Sequence, residues 1–456
     1  MAHASKGAAV IYQRNDSSSF LSGAECRARA RTCLITSIPD DVLCGALVPE
    51  CRVLLMARTC RKMRDTLARE RCAVDIRVSN RVSYDARLVR LVPTGMNNLQ
   101  LNFRIRRFEC FAHMRFFQLK FSDFEELALM HLRTLRMHSN QMNEVQLISL
   151  LYMLTFSGDM RTFEFTEQGL RSRHVPCLAH SMSCFGRLET LNLDKNYLIF
   201  DSLGVVLDAV QTSTLATLNL ATNSCEDAGK MLQLSRVVRM NCSALRTSNL
   251  SCMRLCVSDL DVLLEAIGAC TALESLDLSK NHLHYGCLTD VLNATAACPR
   301  LRSFGWAGNR LGPAGTFVLA NHIMHNQSLR AALQELNLRM CDVCNGLQYL
   351  AEALVLCTSL HTLDLSNNSV YSHEVARILT NAPIASLDIS SNYISDYGMR
   401  HILDCAVRSR TLKDLHVLGN HMSKWTIRRL RHIKSSKRMT VRIPRKSCPC
   451  NTCMNV

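Results

Sequence analysis

The sequence predicts an α/β solenoid, a stack of short strand–helix coils, preceded by a small all-helical module. Three observations predict it. One spacing, apolar-x-x-apolar-x-apolar-x-x-Asn-x-apolar, recurs in eleven copies that start between residues 132 and 412, with a mean period of 28. Between copies the apolar residues fall at helical spacing. Ahead of the copies, a short segment opened by a proline and two acids carries its own helix-like apolar pattern. The chain has 456 residues, 48% hydrophobic and 20% charged, which suits a folded protein with a large core and excludes wholesale disorder.

Residues 1–33 read as a flexible segment with no apolar core of signal-peptide length. The module follows at 34–77. Ile38-Pro39-Asp40-Asp41-Val42-Leu43 starts a helix, and Leu47, Leu54, Leu55, Met63 and Leu67 supply a small bundle core. Thr59-Cys60-Arg61-Lys62-Met63-Arg64 closes it. These two runs resemble the start and the end of an F-box, with Ile38 for Leu, Thr59 for Val and Met63 for Trp. The resemblance implies that Ile38, Pro39, Asp41, Leu43, Leu54, Cys60 and Met63 would contact a Skp-type adaptor of a cullin complex. Read without it, the segment is a helical cap protecting the first coil.

Residues 78–131 are apolar and basic but off register, and we expect irregular first coils or a cap, with shortened strands at Met96/Leu99/Leu101 and Met114/Phe117/Leu119.

The repeats occupy 132–424. Clear copies are Leu188/Leu191/Leu193/Asn196/Leu198, Leu273/Leu276/Leu278/Asn281/Leu283, Leu360/Leu363/Leu365/Asn368/Val370 and Ile384/Leu387/Ile389/Asn392/Ile394. Weaker copies start at Leu132, Met160, Leu215, Leu245, Leu301, Leu333 and Leu412. The alternating apolar residues make a short strand with one buried face, and the Asn can bond backbone groups where the chain turns away. Leu263, Leu264 and Ile267 mark one of the intervening helices. Glycine follows the Asn by six residues at Gly229, Gly315 and Gly398, which suits a turn before the helix. The pattern resembles leucine-rich repeats of the ribonuclease-inhibitor-like class, which implies a horseshoe with strands on the concave face. Trp306 takes a core slot.

The repeat also places many of the 23 cysteines. Cys242, Cys270, Cys298 and Cys357 each stand three residues before a coil start, Cys225 fills an apolar slot, and Cys341 takes the Asn slot, so these read as structural thiols. Side chains between the second and third apolar positions face outward from the strands. Arg136, Glu164, Asp277, Asp364, Asp388 and His416 stand there, with His138, Arg339 and Lys413 nearby, and together these are the candidate partner-binding residues.

The formal charge of +16 is not evenly spread. Residues 51–120 hold 16 basic and 5 acidic residues, and 415–456 hold 10 basic and no acidic residues, while 121–414 are mildly acidic. From Lys424 a last basic helix opens a basic tail, 425–456, broken by Pro444 and Pro449. Three readings of the tail stay open: a nucleic-acid or import signal, an anionic-lipid contact, or a polar cap. Cys453 is fourth from the end, where a prenylated cysteine stands, and Cys448 and Cys450 are candidate acylation sites, although Asn455 replaces the usual aliphatic residue.

No glycine-rich phosphate loop, HExxH or nucleophile elbow occurs, so no catalytic residue, metal or cofactor is expected. The two resemblances together imply a substrate-recognition subunit of a cullin-based ubiquitin ligase, holding an unknown protein substrate on its solenoid. The alternatives are a regulator similar to Ran GTPase activators, or a ciliary or ribonucleoprotein scaffold. No stretch approaches the roughly 18 apolar residues of a membrane span. The expected location is cytoplasmic or nuclear, peripheral to membrane if the terminus is lipidated.

Overall fold

The computed structural model describes residues 9–13, 73–78, 104–110, 132–138, 144–223, 231–255, 257, 260–436 and 440–442. The chain divides into two compact units, Met1–Thr217 and Leu218–Val456. Both are stacks of short, mostly parallel strands alternating with helices.

In the first unit, β1 (Ala9–Gln13) runs antiparallel to β2 (Ala73–Val78). β3 (Arg104–Cys110), β4 (Thr134–His138), β5 (Thr162–Thr166) and β6 (Thr190–Asn192) then follow β2, each parallel to the one before. α1 (Glu144–Leu154), α2 (Val175–Cys184) and α3 (Phe200–Ala209) connect the later coils. The division falls inside β7 (Thr217–Asn219). The second unit continues with β8 (Thr247–Asn249), β9 (Ser275–Asp277), β10 (Ser303–Gly305) and β11 (Glu335–Asn337), again parallel. β12 (Thr362–Asp364), β13 (Ser386–Asp388), β14 (Asp414–His416) and β15 (Thr440–Arg442) complete it. Its helices are α4 (Met231–Met240), α5 (Leu260–Gly268), α6 (Tyr285–Ala296), α7 (Gly312–His325), α8 (Gln327–Ala332), α9 (Leu347–Val355), α10 (Ser372–Asn381), α11 (Asp396–Arg408) and α12 (Lys424–Ser436).

All eleven starts read from the sequence lie in register with a strand, and all eleven first-position side chains are buried. The third apolar slot is buried throughout, Trp306 included. Leu263, Leu264 and Ile267 face the core as expected. The repeat also extends past its expected limits. Ile105/Phe108/Cys110 keeps the spacing, and β3 aligns Phe108 with Leu135. This strand lies between the two sites expected at 96–101 and 114–119, which are outside the described residues. Arg104, Arg106 and Arg107 hide it by diluting the apolar pattern. At the other end α12 and β15 add a further coil before Pro444, with Val441 aligned to Leu415 and fully buried. The module expected at 34–77 lies outside the described residues, except that its last residues enter β2.

The repeated Asn joins consecutive coils. Buried Asn368 donates from Nδ2 to the carbonyls of Leu338 (2.7 Å) and Ser366 (3.1 Å). Its Oδ1 accepts from the backbone N–H groups of Cys341 (2.8 Å) and Val343 (3.2 Å). Asn392 and Asn420 make the same four bonds one coil apart, and Asn281 follows the same plan. In the first unit, Asn196 donates to Phe165 and Leu193 and accepts from Gln168. The residues on either side of Asn196, Asn281, Asn368 and Asn392 are held at positive φ without being glycine: Lys195 and Tyr197, Lys280 and His282, Asn367 and Ser369, Ser391 and Tyr393; before Asn420 the position is Gly419. Each such residue costs roughly 1–2 kcal/mol, so the ladder bonds offset a backbone that the sequence does not favour locally.

Gln168, Met253 and Cys341 interrupt the asparagine series. Cys341 Sγ donates to the carbonyls of Trp306 (3.3 Å) and Arg339 (3.4 Å) but offers no carbonyl oxygen to the preceding coil. The Asn309 N–H accordingly bonds back to Trp306 O at 3.3 Å.

One expectation is corrected. Gly315 and Gly398 do not make turns; they sit inside α7 and α11. A Cβ on Gly315 would lie 2.7 Å from Tyr285 Cβ, and one on Gly398 would lie 2.8 Å from Ser372 Cβ. They are glycine because the neighbouring coil approaches too closely for a side chain.

Of the six cysteines read as structural, four are buried, Cys242 is half-buried, and Cys225 lies outside the described residues. Cys270, Cys298, Cys341 and Cys357 are buried and free. Burial pushes the Cys270 and Cys341 thiols up to about 12, and those of Cys298 and Cys357 up to about 11. In the native protein at pH 8 these four should resist alkylation while Cys177 and Cys184 react; mass spectrometry before and after denaturation checks this. A second prediction concerns Ser248, which fills a leucine slot, is buried, and has no hydrogen-bond partner for Oγ among the described residues. Ser248→Ala should raise stability by about 1 kcal/mol in chemical denaturation, because it removes a desolvated hydroxyl.

Candidate functional site

Strands with one buried face leave the other face open. In both units the central strand residue is buried and its two neighbours are partly exposed. The open face therefore carries two columns of side chains per coil. The first is mostly hydroxyl: Thr134, Thr162 and Thr190 in the first unit, and Thr247, Ser275, Ser303, Thr362 and Ser386 in the second. Glu335 and Asp414 interrupt it. This column was missed in the sequence, where its signal was a Ser or Thr just before the second apolar slot.

The second column holds most of the expected partner-binding residues. In the first unit the structure brings four of the charged side chains together. Arg136 Nε lies 3.0 Å from Glu164 Oε1. His138 Nδ1 lies 2.6 Å from Thr166 Oγ1, and its Nε2 lies 3.5 Å from Glu167 Oε2. Arg136, His138 and Glu167 are about 40% exposed, so these pairs contribute little to stability and remain open to exchange with a partner.

In the second unit many of the expected residues also have a local task. Asp277, Asp364 and Asp388 each accept, through Oδ1, the backbone N–H two residues on, at 2.8–2.9 Å. Asp364 takes the Ser366 hydroxyl as well. Asn192, Asn219, Asn249 and Asn337 do the same in their coils. The Asx turn explains why Asn and Asp fill this column. Gly305 lacks the group, and a Cβ there would fall within the space taken by Asp277. Asp388 retains a second role, with Oδ2 3.2 Å from His416 Nδ1. Arg339 is exposed beyond its strand, next to Met340, which is also exposed. Lys413 is exposed just before β14 and is not part of the column. β15 adds Arg442, aligned with His416, which the sequence reading did not single out.

The F-box-like residues Ile38, Pro39, Asp41, Leu43, Leu54, Cys60 and Met63 lie outside the described residues, as do Cys448, Cys450 and Cys453. Among the described residues no group of three or more His, Cys, Asp and Glu could hold a metal ion. No helix among them is long and apolar enough to cross a membrane.

No protein-family model matches this chain. No curated protein matches it either. Among solved structures it is similar to the crystal structure of an internalin from Listeria monocytogenes, at 16% identity and a TM-score of 0.32, covering 58% of this chain and 83% of that one.

Turn-making and recognition can be separated by substitution. Asp364→Ala should lower stability by about 1–2 kcal/mol through loss of its two bonds. Asp364→Asn should leave stability unchanged, because Asn serves the same turn in other coils. Arg136→Ala should change stability by less than about 1 kcal/mol. Urea denaturation of the three variants checks the set.

Proposed function

We propose that the protein is a non-catalytic binding protein whose open strand faces hold a protein partner, and that it serves as the substrate-recognition subunit of a cullin-based ubiquitin ligase. The observation that carries the binding role is the open face itself. Consecutive parallel strands present exposed Thr, Ser, Asn, Asp, Arg and His side chains at fixed spacing. In the first unit the face carries the Arg136–Glu164 and His138–Glu167 pairs, and in the second Asp388–His416 with Arg442. A rigid array of exchangeable charged and hydroxyl groups suits recognition of a folded protein surface.

The ligase role rests on the F-box-like residues 38–43 and 59–64 placed ahead of a repeat stack. In this reading Ile38, Pro39, Leu43 and Met63 dock on a Skp-type adaptor, the cullin complex supplies the ubiquitin chemistry, and the chain contributes only binding.

The test is affinity purification of the full chain from cells. Wild type should recover a Skp-type adaptor and a cullin. Ile38→Asp combined with Leu43→Asp should lose both while keeping partners of the strand face. Arg136→Glu with Glu164→Arg should do the reverse. Failure of wild type to recover an adaptor would remove the ligase role and leave the binding role standing.

A further inference from the structure

The last three described coils before β15 carry a surface that the strand faces do not account for. It lies in the loops and helix starts that follow β12, β13 and β14. Thirteen residues after their coil starts stand His373, Tyr397 and Trp425, one per coil and all exposed. Tyr397 is 83% exposed and Trp425 53%. Nine residues after the starts of the last two stand Tyr393 and His421, which meet edge to face at 5.3 Å between centroids. Tyr371 stacks on His373 at 5.8 Å. These rings form a run along consecutive coils.

The surroundings are cationic. Arg400 lies over the Trp425 ring, with Cζ 5.0 Å from the centroid, and Arg429 approaches it at 6.0 Å. Lys424, Arg428 and Arg431 are exposed on α12. The nearby acids are engaged. Asp404 pairs with Arg429 at 2.6 Å, and Asp396 accepts from Ser423 N–H and the Thr426 hydroxyl. Glu374 lies 3.1 Å from His373. From residue 415 to the end of the chain there is no acidic residue.

We propose that this surface binds single-stranded nucleic acid. Two requirements of such a ligand are met together. Rings repeated once per coil can stack with successive bases, whatever their sequence, and fixed cations beside them can follow the phosphates. Membrane docking fits less well. Among the described side chains of α12, Leu430 and Thr426 are buried in the core and the exposed ones are Lys424, Trp425, Arg428, Arg431 and His432, which leaves no exposed aliphatic residue there to insert. A duplex hides its base faces and offers the rings nothing to stack on.

The test is fluorescence anisotropy with the full chain and a labelled single-stranded oligonucleotide of about 12 nucleotides. RNA and DNA strands are tried in parallel, alongside the same sequence as a duplex and vesicles containing phosphatidylserine. Wild type should bind one or both single strands more tightly than the duplex, with affinity falling as salt rises. Tyr397→Ala and Trp425→Ala should each weaken binding about tenfold, from the loss of one stacked base. Tyr397→Phe should retain it. Lys424→Ala with Arg428→Ala should weaken binding and flatten the salt dependence. Tyr397 is so exposed that its replacement leaves the fold intact, which circular dichroism verifies. Wild-type affinity in Tyr397→Ala and Trp425→Ala, equal affinity for duplex, or capture by the vesicles without oligonucleotide binding would each overturn the proposal.

Discussion

The buried asparagine that recurs in most coils is the interaction on which the rest depends. Its Nδ2 donates to one carbonyl of its own coil and one of the preceding coil, and its Oδ1 accepts from two N–H groups of the preceding coil. A strand of three residues cannot hold its neighbours by ladder bonds alone. The asparagine adds bonds in the loop, where the chain would otherwise leave backbone groups buried and unpaired. It does so at positions flanked by residues with positive φ, so backbone conformation and side-chain bonding must be satisfied together. The consequence is a fixed register. Where a loop is tied to the one before it in this way, the central strand residues stack into a buried row, and the outward residues fall into columns.

Those columns link fold to function. A column is useful for recognition only if its members keep constant spacing, and here the spacing comes from the buried side of the coil. The Asn or Asp of the second column shows how closely the two are joined. Oδ1 closes the turn in both, and in Asp a second oxygen is left over. In Asp388 that second oxygen meets His416, so a turn-forming residue is also part of the exposed polar surface. The charged group at Arg136 is different in kind, because its members hold only one another and the turn does not need them.

Much of the architecture was legible because leucine spacing is a direct record of burial. Even the weak copies, with Ser248 or Trp306 in a leucine slot, could be placed by their neighbours. The coils at Ile105 and Val441 were not, because arginines or short length blurred the pattern. Gly315 and Gly398 were visible as recurrent glycines, but their reason was not: close approach of a neighbouring helix is a tertiary fact, whereas a turn is local. The same limit applies to the site. Outward positions could be named from periodicity, but which of them were committed to turns required the hydrogen bonds. The aromatic run through Tyr397 and Trp425 lies in loops and helix starts, where the repeat pattern imposes nothing and each ring looks isolated in the sequence.

The ladder can be tested directly by equilibrium denaturation of single alanine variants. Asn281→Ala, Asn368→Ala and Asn392→Ala should each cost about 3 kcal/mol or more, from bonds lost and backbone groups left buried without partners. Asn381→Ala, at an exposed helix end where Nδ2 bonds only Arg377 O, is the comparison and should cost less than about 1 kcal/mol. Losses of the same small size at all four positions would contradict the account, because the coils would then be held by apolar packing alone.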